Sequence, residues 1–248
     1  MSVGTALDGR RVLVTGGTKG IGRATVRAFA RAGARVVTCY HRDAKAADAL
    51  TGELADEGVP VPLVVRADVT DQADVRRLAE RCADALGGLD VLVNNAGVDG
   101  SGALEDLPPQ DWERVLNVDV TAYYLVTQAV LPLLAPGASV INVGASSALR
   151  GRPGAAHHGA AKAAVIGLTA SLAKELGPRD IRVNTVAPGL VEDPDDPHLP
   201  ARMLDRVRAM TSLGRLAGPA DVAGAVLFLA GENARCITGS TLNVDGGM

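Results

Sequence analysis

The feature that most constrains this chain is a glycine turn, TGGTKGIG at residues 15–22, set between the apolar run RRVLV and a stretch of helical spacing. Gly16, Gly20 and Gly22 stand in the pattern G-x-x-x-G-x-G, with Thr18, Lys19 and Ile21 between them. One glycine permits the backbone of the turn and another lets the chain approach a pyrophosphate closely. The exposed N–H groups at the helix start then offer an anion site. Between strand and helix, this spacing reads as the opening of a dinucleotide-binding fold.

The rest of the chain extends the pattern. Further β-rich runs are ARVVTCY, VPLVVRADV, LDVLVNNAG, ASVINVGAS, IRVNTVAPG and STLNVDGG, seven candidate strands in all. Helical spacing occupies 20–32, 43–57, 71–86, 110–134, 156–177 and 219–230. Alternation of this kind builds right-handed βαβ units and a parallel sheet. The strands are nearly continuous apolar runs, as expected where helices cover both faces. The sequence therefore predicts an α/β, doubly wound Rossmann fold in one domain over 1–248, with no internal repeat or low-complexity linker. Residues 190–200, LVEDPDDPHLP, combine prolines and acids ahead of the amphipathic stretch RMLDRVRAM, so 190–212 reads as a substrate loop and lid beyond the strand ends.

The end of the second strand bears on the choice of cofactor. An acid there accepts from a ribose 2′-hydroxyl, whereas a base accommodates a 2′-phosphate. Tyr40 takes the acid's place, His41 and Arg42 follow, and Lys19 sits in the glycine turn, so two cations converge on a phosphate. The expected cofactor is NADP(H), with Asp43 as the opposing feature.

Composition narrows the partners. A formal net charge of −3 without Lys/Arg runs argues against nucleic acid, and no stretch of eighteen apolar residues or apolar signal core argues for a membrane or an export signal. A cytoplasmic protein is expected. Cys39, Cys82 and Cys236 lie far apart, and they and His41, His157, His158 and His198 lack zinc-type spacing, so no metal is expected.

With TGGTKGIG, Asp68-Val69, Asn94-Asn95-Ala96-Gly97, Asn117, Lys162, Pro188-Gly189 and the ending LNVDGGM in order, the chain resembles the short-chain dehydrogenase/reductase family nearly end to end. The resemblance implies a seven-stranded sheet ordered 3-2-1-4-5-6-7 with substrate at its C-terminal edge. It also implies adenine contact by Asp68, a brace beside the cofactor from Asn94 to Gly97, and Lys162 on the nicotinamide ribose. A homotetramer is implied too, and the small residues of AAKAAVIGLTASLA at 160–173 suit close helix packing, between subunits or within one.

The family's catalytic set is Asn, Ser, Tyr and Lys, and here it is broken. Lys162 matches the lysine, but the tyrosine position four residues earlier is His158. The serine position is Ala145, with Ser146 and then Ser147 as replacements, and Asn117 matches the asparagine. Asp193 stands where many relatives place a threonine beside the carboxamide. Carbonyl reduction needs a proton donor at the developing alkoxide and a second hydrogen bond to hold the oxygen. His158 reads as a substitute acid, as a ligand-orienting group, or as a relic; the adjacent Lys162 cation would favour its neutral ring. The resulting expectation is an NADP(H)-dependent reductase of a small ketone, imine or iminium ion, quinone or enone, in secondary metabolism. The alternatives are a non-redox cyclase, dehydratase or isomerase on the same fold, or a silent oligomeric partner.

Overall fold

The computed structural model describes residues 7–194 and 201–248. Its strands are β1 (Arg11–Val14), β2 (Arg35–Tyr40), β3 (Leu63–Arg66), β4 (Leu89–Asn94), β5 (Leu134–Val143), β6 (Arg182–Pro188) and β7 (Thr241–Val244). They form one parallel sheet in the order β3-β2-β1-β4-β5-β6-β7, as the family resemblance implied. The helices are α1 (Gly20–Arg31), α2 (Ala44–Asp56), α3 (Gln72–Leu86), α4 (Pro109–Leu116), α5 (Ala122–Val130), α6 (Ser147–Arg150), α7 (Ala156–Leu176), α8 (Ala201–Arg208) and α9 (Pro219–Ala230).

Strand periodicity divides the core into two layers. Leu13, Val37, Leu92, Val140 and Val183 point to the face covered by α3, α5 and α7, while Val12, Val14, Val36, Val91 and Val93 point to the face covered by α1, α2 and α9. This two-sided burial is why the strands read as uninterrupted apolar runs. Polar side chains set several helix ends. Asp43 accepts from Ala46 N (3.0 Å) to start α2, Asp71 accepts from Asp74 N (2.9 Å) to start α3, and Gly87 at φ 72° stops α3. Helix α1 differs in having no side-chain cap at Lys19 and no acid in its first turn. Its leading N–H groups face the crevice between β1 and β4, where the strand order reverses and ligands of doubly wound sheets bind.

The helix expected over 110–134 is interrupted. After α4 comes a π turn, Asn117–Thr121, then α5, then a 3₁₀ turn at Leu131–Leu133 containing Pro132. A π turn carries one extra residue per turn, and such insertions gather at functional sites. The four-residue α6, ended by Gly151 at φ 78°, was not foreseen either. Within the expected lid, residues 195–200 lie outside the described residues. On its flanks Val191 bridges Ala217 and Arg208 of α8 pairs with Glu192.

Candidate active site and dinucleotide cleft

A cleft of about 740 Å³ opens at the β1/β4 switch point. Its floor is the glycine turn, from Gly16 and Thr18 through Lys19, Gly20, Ile21 and Gly22. Its walls carry Arg42, Asp68, Val69, Asn95, Ala96, Gly97 and Asn117. The turn is a tight piece of packing. Gly16 and Gly20 take φ values of 64° and 50°, in the left-handed region. A Cβ at Gly16 would lie 3.0 Å from Ala96 Cα, and one at Gly22 would run into Gly16 O and come within 2.5 Å of Asn95 Nδ2. Asn95 fixes this geometry by donating from Nδ2 to Thr15 O (2.9 Å) and Gly16 O (3.1 Å), while Thr15 Oγ1 accepts from the N–H groups of Asn95 and Ala96. Asn94 braces the layer beneath, donating to Thr127 Oγ1 and Asn142 Oδ1.

At the far end of the cleft the two expected cations are arranged differently. Lys19 Nζ lies 2.5 Å from Asp43 Oδ2, in an exposed pair that holds the Asp43 carboxyl below its usual range, with the Lys19 hydrogen bond as the main cause. Arg42 lines the cleft beside it. His41 Nε2 stands 3.4 Å from Asp68 Oδ2, and Asp68 also accepts from Thr70. Asp193 lines the cleft, with Oδ2 3.8 Å from where a Gly20 Cβ would lie, so a carboxylate hangs near the start of α1.

Pro188 and Gly189 sit at the end of β6. Pro188 O accepts from Ser146 N (2.8 Å), and Gly189 N donates to Val244 O (3.0 Å). A Cβ on Gly189 would lie 2.8 Å from Asp245 Cβ, so glycine here permits the close approach of β6 to the end of β7.

Lys162, on the buried side of α7, has Nζ 3.2 Å from Val143 O, 3.4 Å from Asp119 Oδ2 and 5.3 Å from the centroid of the Tyr123 ring. Burial pulls its pKa below the lysine norm, and Asp119 opposes the fall. The acid facing Lys162 thus comes from the π turn. Asp119 is fully buried, and its Oδ1 also accepts from Val98 N (2.8 Å). Asn117, expected in the catalytic set, is exposed and lines the dinucleotide cleft on the same turn. The sequence signal for Asp119 was a carboxylate between Val118 and Val120 in an otherwise burying stretch. Tyr123 donates to Val143 O (3.0 Å), and its phenol pKa is raised by burial and by Asp119.

His158, one turn before Lys162, shares its face of the helix. Its Nε2 lies 4.0 Å from Asp99 Oδ1, and its Nδ1 is buried without a partner among the described residues. The ring's pKa is lowered chiefly by burial. Asp99 and Asp119 oppose that shift while Lys162 and Arg152 add to it, so the Lys162 cation is a secondary cause. His157 is buried, its Nε2 where a side chain on Gly100 would have to go. Ser146 belongs to a second cluster. It is buried, its Oγ accepts from Arg150 Nη2 (2.7 Å), and Arg150 Nη1 lies 3.3 Å from Asp245 Oδ2 at the end of β7.

Among the described residues no group of three or more His, Cys, Asp or Glu could hold a metal, and no helix is long and apolar enough to cross a membrane. Fold, sheet order and glycine turn together define a Rossmann-type dinucleotide-binding domain.

A family model described as enoyl-(acyl carrier protein) reductase matches residues 16–248. The 3-oxoacyl-acyl-carrier-protein reductase of Thermotoga maritima is 37% identical over 247 residues, 98% of each chain. A short-chain dehydrogenase of Burkholderia cenocepacia, solved with NADP, superposes with a TM-score of 0.91 at 38% identity, covering 97% of this chain and 98% of that one. A blue fluorescent protein from a metagenomic library, solved with NADPH, gives 0.90 and 38% over the same shares. The chain belongs to the short-chain dehydrogenase/reductase family.

Proposed function

We propose that this protein is an NADP(H)-dependent reductase of a small carbonyl compound, or of a comparably activated imine, quinone or enone, working with His158 where the family has tyrosine. The observation that carries the reading is a buried Lys162 whose Nζ lies 3.4 Å from where a Cβ on Gly97, in the cleft wall, would be, one helical turn from the imidazole of His158. The cleft suits the cofactor because its glycine turn leaves no room for side chains at Gly16 and Gly22 and exposes the uncapped start of α1. When bound, the reduced nicotinamide supplies hydride. Gly16, Gly20 and Gly22 admit the pyrophosphate, Asp68 and Val69 border the adenine end, Asn95 to Gly97 wall the centre, and Lys162 holds the nicotinamide ribose. His158 gives a proton to the oxygen as negative charge develops there. Ala145 supplies no hydroxyl, and Ser146 is engaged by Arg150. The acceptor therefore needs little help in binding its oxygen, which favours reactive substrates. The panel that tests this reading includes 3-oxoacyl thioesters, the substrate class named for the Thermotoga relative.

The preference for NADPH rests on Arg42 just after β2 and Lys19 in the glycine turn. A hydrogen bond to a charged group contributes about 1.5–3 kcal/mol, or roughly ten- to a hundredfold in affinity. Arg42→Ala should weaken NADPH binding by that factor in calorimetry and leave NADH nearly unchanged. Equal loss for both cofactors would show that Arg42 does not read the phosphate.

The assembly we propose is a homotetramer. Ala160, Ala163, Ala164, Gly167 and Ala170 are exposed along α7, and a Cβ on Gly167 would meet nothing within 4 Å, leaving a flat face for a second helix. Light scattering at micromolar concentration should give four times the chain mass, and a monomer mass would refute the assembly.

A further inference from the structure

We infer that Asp99 is the positioning residue that makes His158 a proton donor, a role that rests on the reading of His158 given above. The carboxylate is clamped in place. Its Oδ1 accepts from Gly100 N (2.8 Å) and from Arg152 Nη2 (2.5 Å), its Oδ2 lies 3.3 Å from Arg152 Nη1, and Arg152 also donates to Gly100 O (3.0 Å). So held, Asp99 Oδ1 faces His158 Nε2 at 4.0 Å. That gap is too long for a hydrogen bond but well within range of an attraction that strengthens when the ring is charged.

His158 Nδ1 is buried and meets no partner among the described residues, a condition that is costly in the absence of a ligand. A carboxylate beside Nε2 keeps the hydrogen of the neutral ring on that nitrogen. Protonation then places a new N–H on Nδ1, with the positive ring balanced by Asp99. The charged groups around the ring are Asp99 and Arg152 from the connections after β4 and α6, Lys162 from its own helix, and Asp119 from the π turn. Lys162 and Asp119 pair with each other, and Arg152 is engaged by Asp99. Among the described residues, Asp99 is the acid that reaches a nitrogen of this ring at ion-pair distance.

The carbonyl carbon accepts hydride from the reduced nicotinamide, and the C=O π pair moves onto oxygen. That oxygen takes the proton of the charged ring as the N–H bond breaks. The ring returns to its neutral Nε2–H form, Asp99 stays ionised throughout, and a solvent proton restores the donor.

Nitrogen-15 NMR of the full chain reads the tautomer and the titration of His158 directly. The wild type should carry its neutral-ring hydrogen on Nε2. Asp99→Asn should move the titration to lower pH. It should also cut kcat for NADPH-dependent reduction at neutral pH by about three- to tenfold, because each unit of pKa lost removes tenfold of the protonated ring. The deficit should close as the pH is lowered, and Asp99→Glu should recover part of the rate. A wild-type Nδ1–H tautomer, or a titration that does not move in Asp99→Asn, would overturn the role of Asp99. The NMR arms need no turnover, so a titration that moves while His158→Ala leaves kcat intact instead overturns the donor reading beneath it.

Discussion

Gly22→Ala should abolish measurable NADPH binding, weakening it by more than about a hundredfold, and should destabilise the fold by about 1–3 kcal/mol or more. Gly22 is glycine because of what surrounds it; its φ is not among the left-handed ones. An added Cβ would strike Gly16 O in the turn itself and come within 2.5 Å of Asn95 Nδ2, which bonds Thr15 O and Gly16 O. Relief requires the glycine turn to move away from β4, and that movement reshapes the anion site at the start of α1. Gly20→Ala is the control. Its φ of 50° strains an alanine, yet the nearest atom to the new Cβ is Asp193 Oδ2 at 3.8 Å. That variant should lose only about 1–2 kcal/mol. Calorimetric titration and urea unfolding of both variants check the contrast, and equal behaviour of the two would refute the packing explanation.

Asp119→Ala should cost about 3–5 kcal/mol in stability, because it leaves the Lys162 ammonium buried with its counter-charge gone. The Val98 N–H loses its acceptor as well. The pH dependence gives an independent sign. Burial already holds the folded pKa of Lys162 below its unfolded value, and removal of Asp119 deletes the main opposing influence. Between the two values the unfolded chain binds the extra proton, so stability rises with pH there. The variant should therefore regain part of its loss as the pH is raised toward the ordinary lysine range. Urea unfolding from pH 7 to 10 measures it. A loss that does not change with pH would show that the cavity, rather than the stranded charge, is responsible. Adding Lys162→Met to Asp119→Ala should restore much of the stability at pH 7, since neither charge then remains alone.

These two sites differ in how far they could be read without coordinates. The glycine turn was legible because its chemistry is local: spacing, strand and helix lie within about twenty residues. The seven strands were legible for a related reason, since two-sided burial writes itself as apolar runs such as RVLV and LDVLVN. Asp119 was missed because a π turn leaves no period of its own, and a regular helix drawn through 110–134 gives no reason to turn that acid toward Lys162. The clusters Asp99–Arg152 and Ser146–Arg150–Asp245 join residues distant in sequence, Arg150 and Asp245 being 95 apart, and only the folded sheet brings them together. The same applies to Lys19 and Asp43, whose pairing across the β2 end no spacing rule foretells.

The central claim is that hydride transfer takes place in this altered site and that His158 assists it. It is tested most directly by following NADPH oxidation against a panel of 3-oxoacyl thioesters, ketones, imines, quinones and enones, in wild type and in His158→Ala, as a function of pH. The wild type should consume NADPH in step with reduced product, and its rate should rise as the pH falls through the lowered His158 pKa, where the protonated ring becomes populated. His158→Ala should lose about ten- to a thousandfold in kcat together with that pH dependence, while its NADPH affinity stays nearly unchanged. A wild type that oxidises no NADPH with any acceptor, or a His158→Ala variant with unchanged kcat where chemistry limits the rate, would contradict the claim.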